Sequence, residues 1–269
     1  CERSPDGLSK QLNSEISPEL LSSQSATQRD RIYPNAVTFW AFLAQVLSED
    51  GSCARAVARV QEWMHAKGLP VPSASTSSYA EARKVLPIEM LREVNRSLCD
   101  QLDQTLSTDD QWRGFRVKAE DGTSVQMPDT PANQAAYPQP SGQAPGCGFP
   151  VIGLVGLIDL NHGGLRDFAE STVETGELRG HDQLETYLKE GDLTVGDRLY
   201  SSYEGIARLK GKGVEFIGRN HQARKLDFRK GRKIGPNERL QKWIKPRQQP
   251  SLSRLPAKEW EALPDEIEM

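Results

Sequence analysis

The apolar residues of this chain change their spacing once, near Trp112, and that change limits the fold more than any other feature. Upstream, Val37, Phe39, Trp40, Leu43, Val46 and Leu47 recur at helical spacing. Ser52 then stands where an N-cap belongs, ahead of Ala54, Val57, Val60, Trp63 and Met64, so the two runs read as a helical hairpin broken at Asp50-Gly51. Gly68-Leu-Pro-Val-Pro ends the second helix. Thr76 or a neighbouring Ser caps a third that runs to Leu86, and Pro87 suits the first turn of a fourth with Leu91, Val94, Leu98 and Leu102 on one stripe.

Downstream of Trp112 the period shortens and β-branched residues rise. Phe115 to Val125 reads as a strand. Val151 to Leu160, then His162-Gly-Gly and Leu165 to Thr172, reads as a hairpin with His162 in its turn. A helix over Gly180 to Glu190, a short strand over Leu193 to Val195, a helix over Tyr203 to Lys210 and a strand over Val214 to Gly218 follow. That order predicts an α+β or α/β chain: a helical bundle, then a mixed sheet with helices against it. Pro128 to Pro150, dense in Pro, Gly and Gln, reads as a long loop, a kind usually functional or disordered. Residues 1 to about 30, rich in Ser and Gln, read as a loose tail, because they bury too little to offset the entropy of ordering.

The 269 residues, 36% hydrophobic and 26% charged, suffice for one core and a smaller appendage. No apolar run approaches the roughly 20 residues of a spanning helix, and the first residues are too polar for a secretory signal, so the cytoplasm is the expected location. Cys1, Cys53, Cys99 and Cys147 are too scattered for a zinc ribbon or a disulfide framework. The chain begins with Cys1 rather than Met and ends on Ala-Leu-Pro-Asp-Glu-Ile-Glu-Met without an obvious closing element, which we read as marks of a fragment.

The net charge of −3 argues against a nucleic-acid partner only on average. Between Arg219 and Arg247 stand eleven cations, Arg219, Arg224, Lys242 and Lys245 among them, opposed only by Asp227 and Glu238. So basic a surface attracts a polyanion, since the field is set by charges within about a Debye length. A solvated basic loop is the plainer reading of any charge run taken alone.

Two aspartates carry the chemistry. Asp121 interrupts the strand between Val117 and Val125, and Asp197 follows Leu193-Thr-Val-Gly ahead of a helix. Ligands gather at the carboxyl ends of parallel strands, so neighbouring strands would let these carboxylates share a divalent cation. Asp followed by Gly is, alone, more often a turn.

The wording around both aspartates is more specific. Glu120-Asp-Gly-Thr-Ser-Val-Gln-Met-Pro-Asp-Thr130, Asn133, Tyr137-Pro-Gln and Pro145-Gly-Cys-Gly-Phe-Pro150 resemble the start of the catalytic domain in bacterial insertion-sequence transposases. These belong to the DDE superfamily, in the group named after insertion sequence four. Gly191-Asp-Leu-Thr-Val-Gly-Asp-Arg-Leu-Tyr200 resembles the family's second acidic motif, and Trp243-Ile-Lys-Pro246 its signature in an inserted β-rich domain. Ser52 to Val57 and Ser73 to Arg83, with Leu86-Pro87, are similar to its helical N-terminal region.

The resemblance implies an RNase H-like core that cuts and joins DNA with two Mg²⁺ or Mn²⁺ ions. Asp121 and Asp197 would be the first two acids of the triad. The family's third acid is a Glu within a Tyr, Arg, Glu, Lys signature that nothing after Pro246 matches, so this chain alone is expected to be inactive or nearly so. The implied organisation is a disordered tail at 1–30, a helical domain for DNA binding or dimerisation at 31–108, the first part of the core at 109–213 and the start of a basic inserted domain at 214–269. Expected partners are double-stranded DNA and a second copy of the chain. Tyr79, Arg83, Arg198, Arg219, Arg224, Lys242, Trp243 and Lys245 are candidate DNA contacts, Trp243 by stacking on an unpaired base. Asp129, Thr130 and Asn133 order the loop or touch DNA. The alternatives are a DNA-binding remnant that does not cut, or another RNase H-like nuclease.

Overall fold

The structure, a computed structural model, describes residues 15–22, 32–144, 146–172, 177–220, 224, 227, 229–251, 253 and 255–269. It divides into two units, Cys1–Gln101 and Leu102–Met269. No helix among the described residues is long and apolar enough to cross a membrane.

The first unit is helical: α1 (Pro18–Ser22), α2 (Asn35–Val46), α3 (Cys53–Ala66), α4 (Ser77–Lys84) and most of α5 (Ile88–Thr105). The Ser52 hydroxyl accepts the Arg55 amide at 3.2 Å, so the expected cap of α3 forms. Tyr33, Val57, Val60 and Tyr79 pack in one cluster, and Phe39, Met90 and Val94 in another. Leu102, expected on the buried stripe of α5, is 40% exposed. Ile16 and Leu21 are buried in the second cluster, so residues 15–22 do not behave as the loose tail expected of them; the rest of that tail lies outside the described residues. Two buried apolar side chains, one ahead of α1 and one within it, suffice to hold so short a segment, at roughly 1.5–3 kcal/mol for each fully buried side chain.

The second unit is built on a five-stranded mixed sheet of β1 (Arg116–Gln126), β2 (Val151–Asp159), β3 (Leu165–Thr172), β4 (Asp192–Gly196) and β5 (Glu215–Gly218), in the order β3-β2-β1-β4-β5. β1, β2 and β3 pair antiparallel, whereas β4 runs parallel to both β1 and β5. Glu177–Leu184 forms α7 and Tyr203–Gly211 forms α8. One face of the sheet, with Val155, Leu157 and Ala169, shares a core with Leu184, Leu188, Leu209 and Val214. α7 approaches closely because residue 180 is Gly: a Cβ there would lie 2.9 Å from Val155 Cγ2.

Two expected boundaries move. β5 is an edge strand of this sheet, so the basic region begins after Gly218 rather than at 214, because Glu215 to Gly218 continue the parallel ladder from β4. The last described residues also form a strand: β9 (Glu266–Glu268) pairs with β8 (Lys242–Ile244), and Ile267 packs beside Trp260 of α9 (Ala257–Ala262) against Tyr203 and Ile206 of α8. β6 (Arg232–Gly235) and β7 (Glu238–Leu240) make a separate two-stranded ribbon. The long loop after β1 carries a six-residue helix, α6 (Pro131–Ala136), capped by the Thr130 hydroxyl.

Candidate metal and DNA site

Asp121 lies inside β1, not in a turn: Asp121-Gly122 continues the ladder, opposite Gly156 and Val155 of β2. Lys118 and Glu120 are buried on the helix-covered face, and alternation therefore sets Asp121 on the other face with Val117 and Ala119. The parallel register pairs Val117 with Leu193 and Ala119 with Val195. That ladder ends at Ala119↔Val195, so Asp121 and Asp197 each lie two residues beyond its last pair. The β4–β5 ladder ends at Gly196↔Gly218, and Asp197 and Arg219 are the residues that follow it.

From β1 the chain passes outward through β2 and β3, then returns to the other side of β1 for β4 and β5. In open sheets with parallel strands, ligands gather at the carboxyl ends beside such a reversal. Gly196 shapes the exit of β4, since a Cβ there would meet Tyr200 Cδ2 at 3.0 Å and Phe216 Cε2 at 3.4 Å.

Both carboxylates are exposed. Asp121 Oδ1 accepts the Gly122 amide at 2.9 Å, and Asp197 Oδ1 accepts the Leu199 amide at 2.6 Å. No ion pair among the described residues engages either, so their remaining oxygens suit a hard cation. They fit a divalent ion as an incomplete ligand set. The described residues bring three possible ligands within 4.8 Å of one another at Asp103, Asp159 and His162. There the charge is already compensated, with Lys118 Nζ 2.7 Å from Asp159 and Arg166 Nη2 2.6 Å from Asp103.

The face opposite Asp121 holds polar residues that the sequence reading left unassigned. His181 Nδ1 of α7 lies 2.7 Å from Glu120 Oε2. The Lys118 ammonium sits between Asp159 at 2.7 Å and Asp192 at 4.0 Å, and Arg116 Nε reaches Asp192 at 2.9 Å. Burial pushes the Asp192 carboxyl above its ordinary range despite the Lys189 amide and the two cations. His162 is a turn residue as expected, but its side chain is also buried and faces Asp103 and Asp159. The available signal was alternation: Lys118 and Glu120 share a parity opposite to Asp121 in a strand between apolar neighbours.

The candidate DNA contacts separate by placement. Tyr79 is fully buried and donates its hydroxyl to Gln45 Oε1 at 2.6 Å, so it is a core residue with no surface to offer. Arg83 donates to the same oxygen and lies over Phe42 and Tyr79. Trp243 carries the Arg224 guanidinium 3.3 Å above its ring and meets Tyr203 edge-on at 5.1 Å, so packing rather than base stacking occupies it. Arg224 also donates to the Ser201 carbonyl. Lys242 pairs with Glu266, and Lys245 donates to the carbonyls of Glu261 and Leu263. Arg198 and Arg219 are exposed. In the loop, Asn133 bonds to the Pro128 carbonyl and Gln134 to Asp129, which accounts for Asp129, Thr130 and Asn133 as loop-ordering residues.

The transposase DDE domain family matches residues 112–259, more than half of the chain. The chain belongs to that family. It is 26% identical over 192 residues to transposase InsG of insertion sequence element IS4 from Escherichia coli K12, and the match covers 70% of this chain and 42% of that one. Among solved structures, the piggyBac transposase synaptic complex with hairpin DNA is similar at 10% identity and a TM-score of 0.35, over 80% of this chain and 49% of that one. The Mos1 transposase paired-end complex with left transposon end gives 12% identity and 0.25, over 71% and 60%. Both scores fall short of those of a shared fold. Asp121 and Asp197 both lie within the matched residues.

Proposed function

We propose that this chain contributes two of the metal-binding acids of an insertion-sequence transposase with an RNase H-like core. Asp121 and Asp197 would hold Mg²⁺ or Mn²⁺, which, when bound, activates a water or a DNA 3′-hydroxyl and stabilises the leaving oxygen. The observation that supports this reading is the parallel β1–β4 pairing, whose last pair, Ala119 with Val195, lies two residues before each of these exposed carboxylates. Arg219, and Arg198 beside Asp197, supply positive charge where a scissile phosphate would approach. The paired acids repel that phosphate until they are neutralised, so the same residues make DNA approach and metal binding interdependent.

Two carboxylates leave the ligand set short, so the 269-residue chain by itself is expected to bind DNA and metal but to cut poorly. Iron-directed hydroxyl-radical cleavage tests the metal assignment without relying on activity. With Fe²⁺, ascorbate and peroxide, the backbone should be cut near 121 and 197, and excess Mg²⁺ should suppress the cuts. Cuts confined to the segments around Asp103 and Asp159 would refute the assignment.

A further inference from the structure

The cations of β6 face solvent: Arg232, Lys233 and Ile234 are exposed, and none of the residues in the two strands of the β6–β7 ribbon is buried. Its register places Lys233 directly opposite Arg239, which sets two cations side by side. An isolated two-stranded ribbon is marginal in water, and a polyanion lying along it would hold it.

The ribbon also exposes apolar groups at its tip. The ladder steps from Lys233↔Arg239 to Gly235↔Glu238, so Ile234 is an extra, bulged residue. Bulges re-aim side chains, and this one leaves Ile234 55% exposed. The two-residue turn that follows is Pro236-Asn237, with Pro236 exposed. An exposed Ile and Pro flanked by Arg232, Lys233 and Arg239 match the chemistry of minor-groove wedges, in which cations follow the phosphates while an aliphatic group enters a base step. The side chains that occupy Trp243 give this second surface a further reason: the ring expected to meet bases is already covered.

We infer that the β6–β7 ribbon is a DNA-bending arm that places Ile234, supported by Pro236, into a base step of duplex DNA from the minor groove. This rests on the DNA reading above and deepens it. A, T-rich steps favour it, because the groove there has the strongest negative potential and flexible pyrimidine–purine steps open most readily.

The test uses the 269-residue chain and an A, T-rich duplex with a fluorophore at each end and 2-aminopurine at successive steps. Binding should bring the ends closer and brighten 2-aminopurine at one or two adjacent positions. Ile234→Ala should remove most of that brightening and bending while the salt dependence keeps its slope. Ile234→Phe, which keeps an apolar wedge, should retain both signals. Lys233→Gln combined with Arg239→Gln should reduce the slope of log affinity against log salt by about 2. Binding without bending or brightening in the unmodified chain, or full signals in Ile234→Ala, overturns the arm while leaving the DNA reading intact. Failure of the unmodified chain to bind the duplex even at low salt overturns both.

Discussion

Glu120 and His181 meet in the interior of the second unit, Oε2 to Nδ1 at 2.7 Å, with both residues no more than 5% exposed. Glu120 immediately precedes Asp121, so one peptide links the buried pair on one face of β1 to the candidate metal ligand on the other. Removing one partner strands the other polar group in the core, at about 3–5 kcal/mol for a buried pair. His181→Ala should therefore lower the unfolding free energy by about 3 kcal/mol in urea melts. Loss of less than about 0.5 kcal/mol, the ordinary range of surface substitutions, would show that the pair does not hold β1 and α7 together.

The exposed acids should behave in the opposite way. Asp121→Asn and Asp197→Asn should each reduce whatever metal-dependent cleavage is measured at least about 100-fold, because lost metal ligation removes several kcal/mol of charge stabilisation. Neither side chain is buried, so melting temperatures should stay close to the unmodified value. DNA affinity at low salt should hold or rise, since each change removes a negative charge. Cleavage at the unmodified rate in either variant would remove that residue from the metal site.

Much of this site was legible in the sequence, for physical reasons that differ by element. The switch in period at Trp112 located the sheet, and Leu193 to Gly196 is apolar enough to fix β4 within one or two residues. What periodicity could not supply was strand order. Any shared site of Asp121 and Asp197 depends on β4 pairing with β1, and nothing local to either segment specifies that partner. For Trp243 the sequence left packing and base stacking open, because an aromatic residue among cations reads the same whether its ring faces a base or a neighbouring guanidinium. β9 was not legible because one apolar residue, Ile267, between glutamates is a minimal strand, too short to be recognised by period alone.

Asp103 gives a pH signature. Burial pushes its carboxyl up, but the Arg166 guanidinium and the His162 ring outweigh that and hold it below the ordinary carboxylate value. A carboxyl with a lower pKa in the folded state stabilises the fold above its unfolded pKa, near about 4, and loses that contribution as pH falls through the folded value. Asp103→Asn should cost about 1 kcal/mol near neutral pH, a discounted figure because a third of the side chain is exposed. The gap between variant and unmodified chain should narrow below about pH 4. An equal gap at pH 3 and pH 7 would mean that the charge of Asp103 is not what stabilises the fold.

Gly180 sets how closely α7 can lie on the sheet. An Ala at this helical position gains about 1 kcal/mol of intrinsic helix propensity, which argues for stabilisation. Against it, the new methyl would stand 2.9 Å from Val155 Cγ2, 3.1 Å from Val155 Cβ and 3.3 Å from Ala169 Cβ, all in a packed core. None of these contacts is the far end of a flexible chain, so relief requires α7 to move off β2 and β3. Overpacking of this kind costs about 1–3 kcal/mol, so Gly180→Ala should be destabilising on balance by about 1 kcal/mol. Because α7 also carries His181, the shift should lengthen the contact to Glu120 as well. Pairing Gly180→Ala with His181→Ala should then destabilise by less than the two changes summed, and strict additivity in urea melts would show the two contacts to be independent.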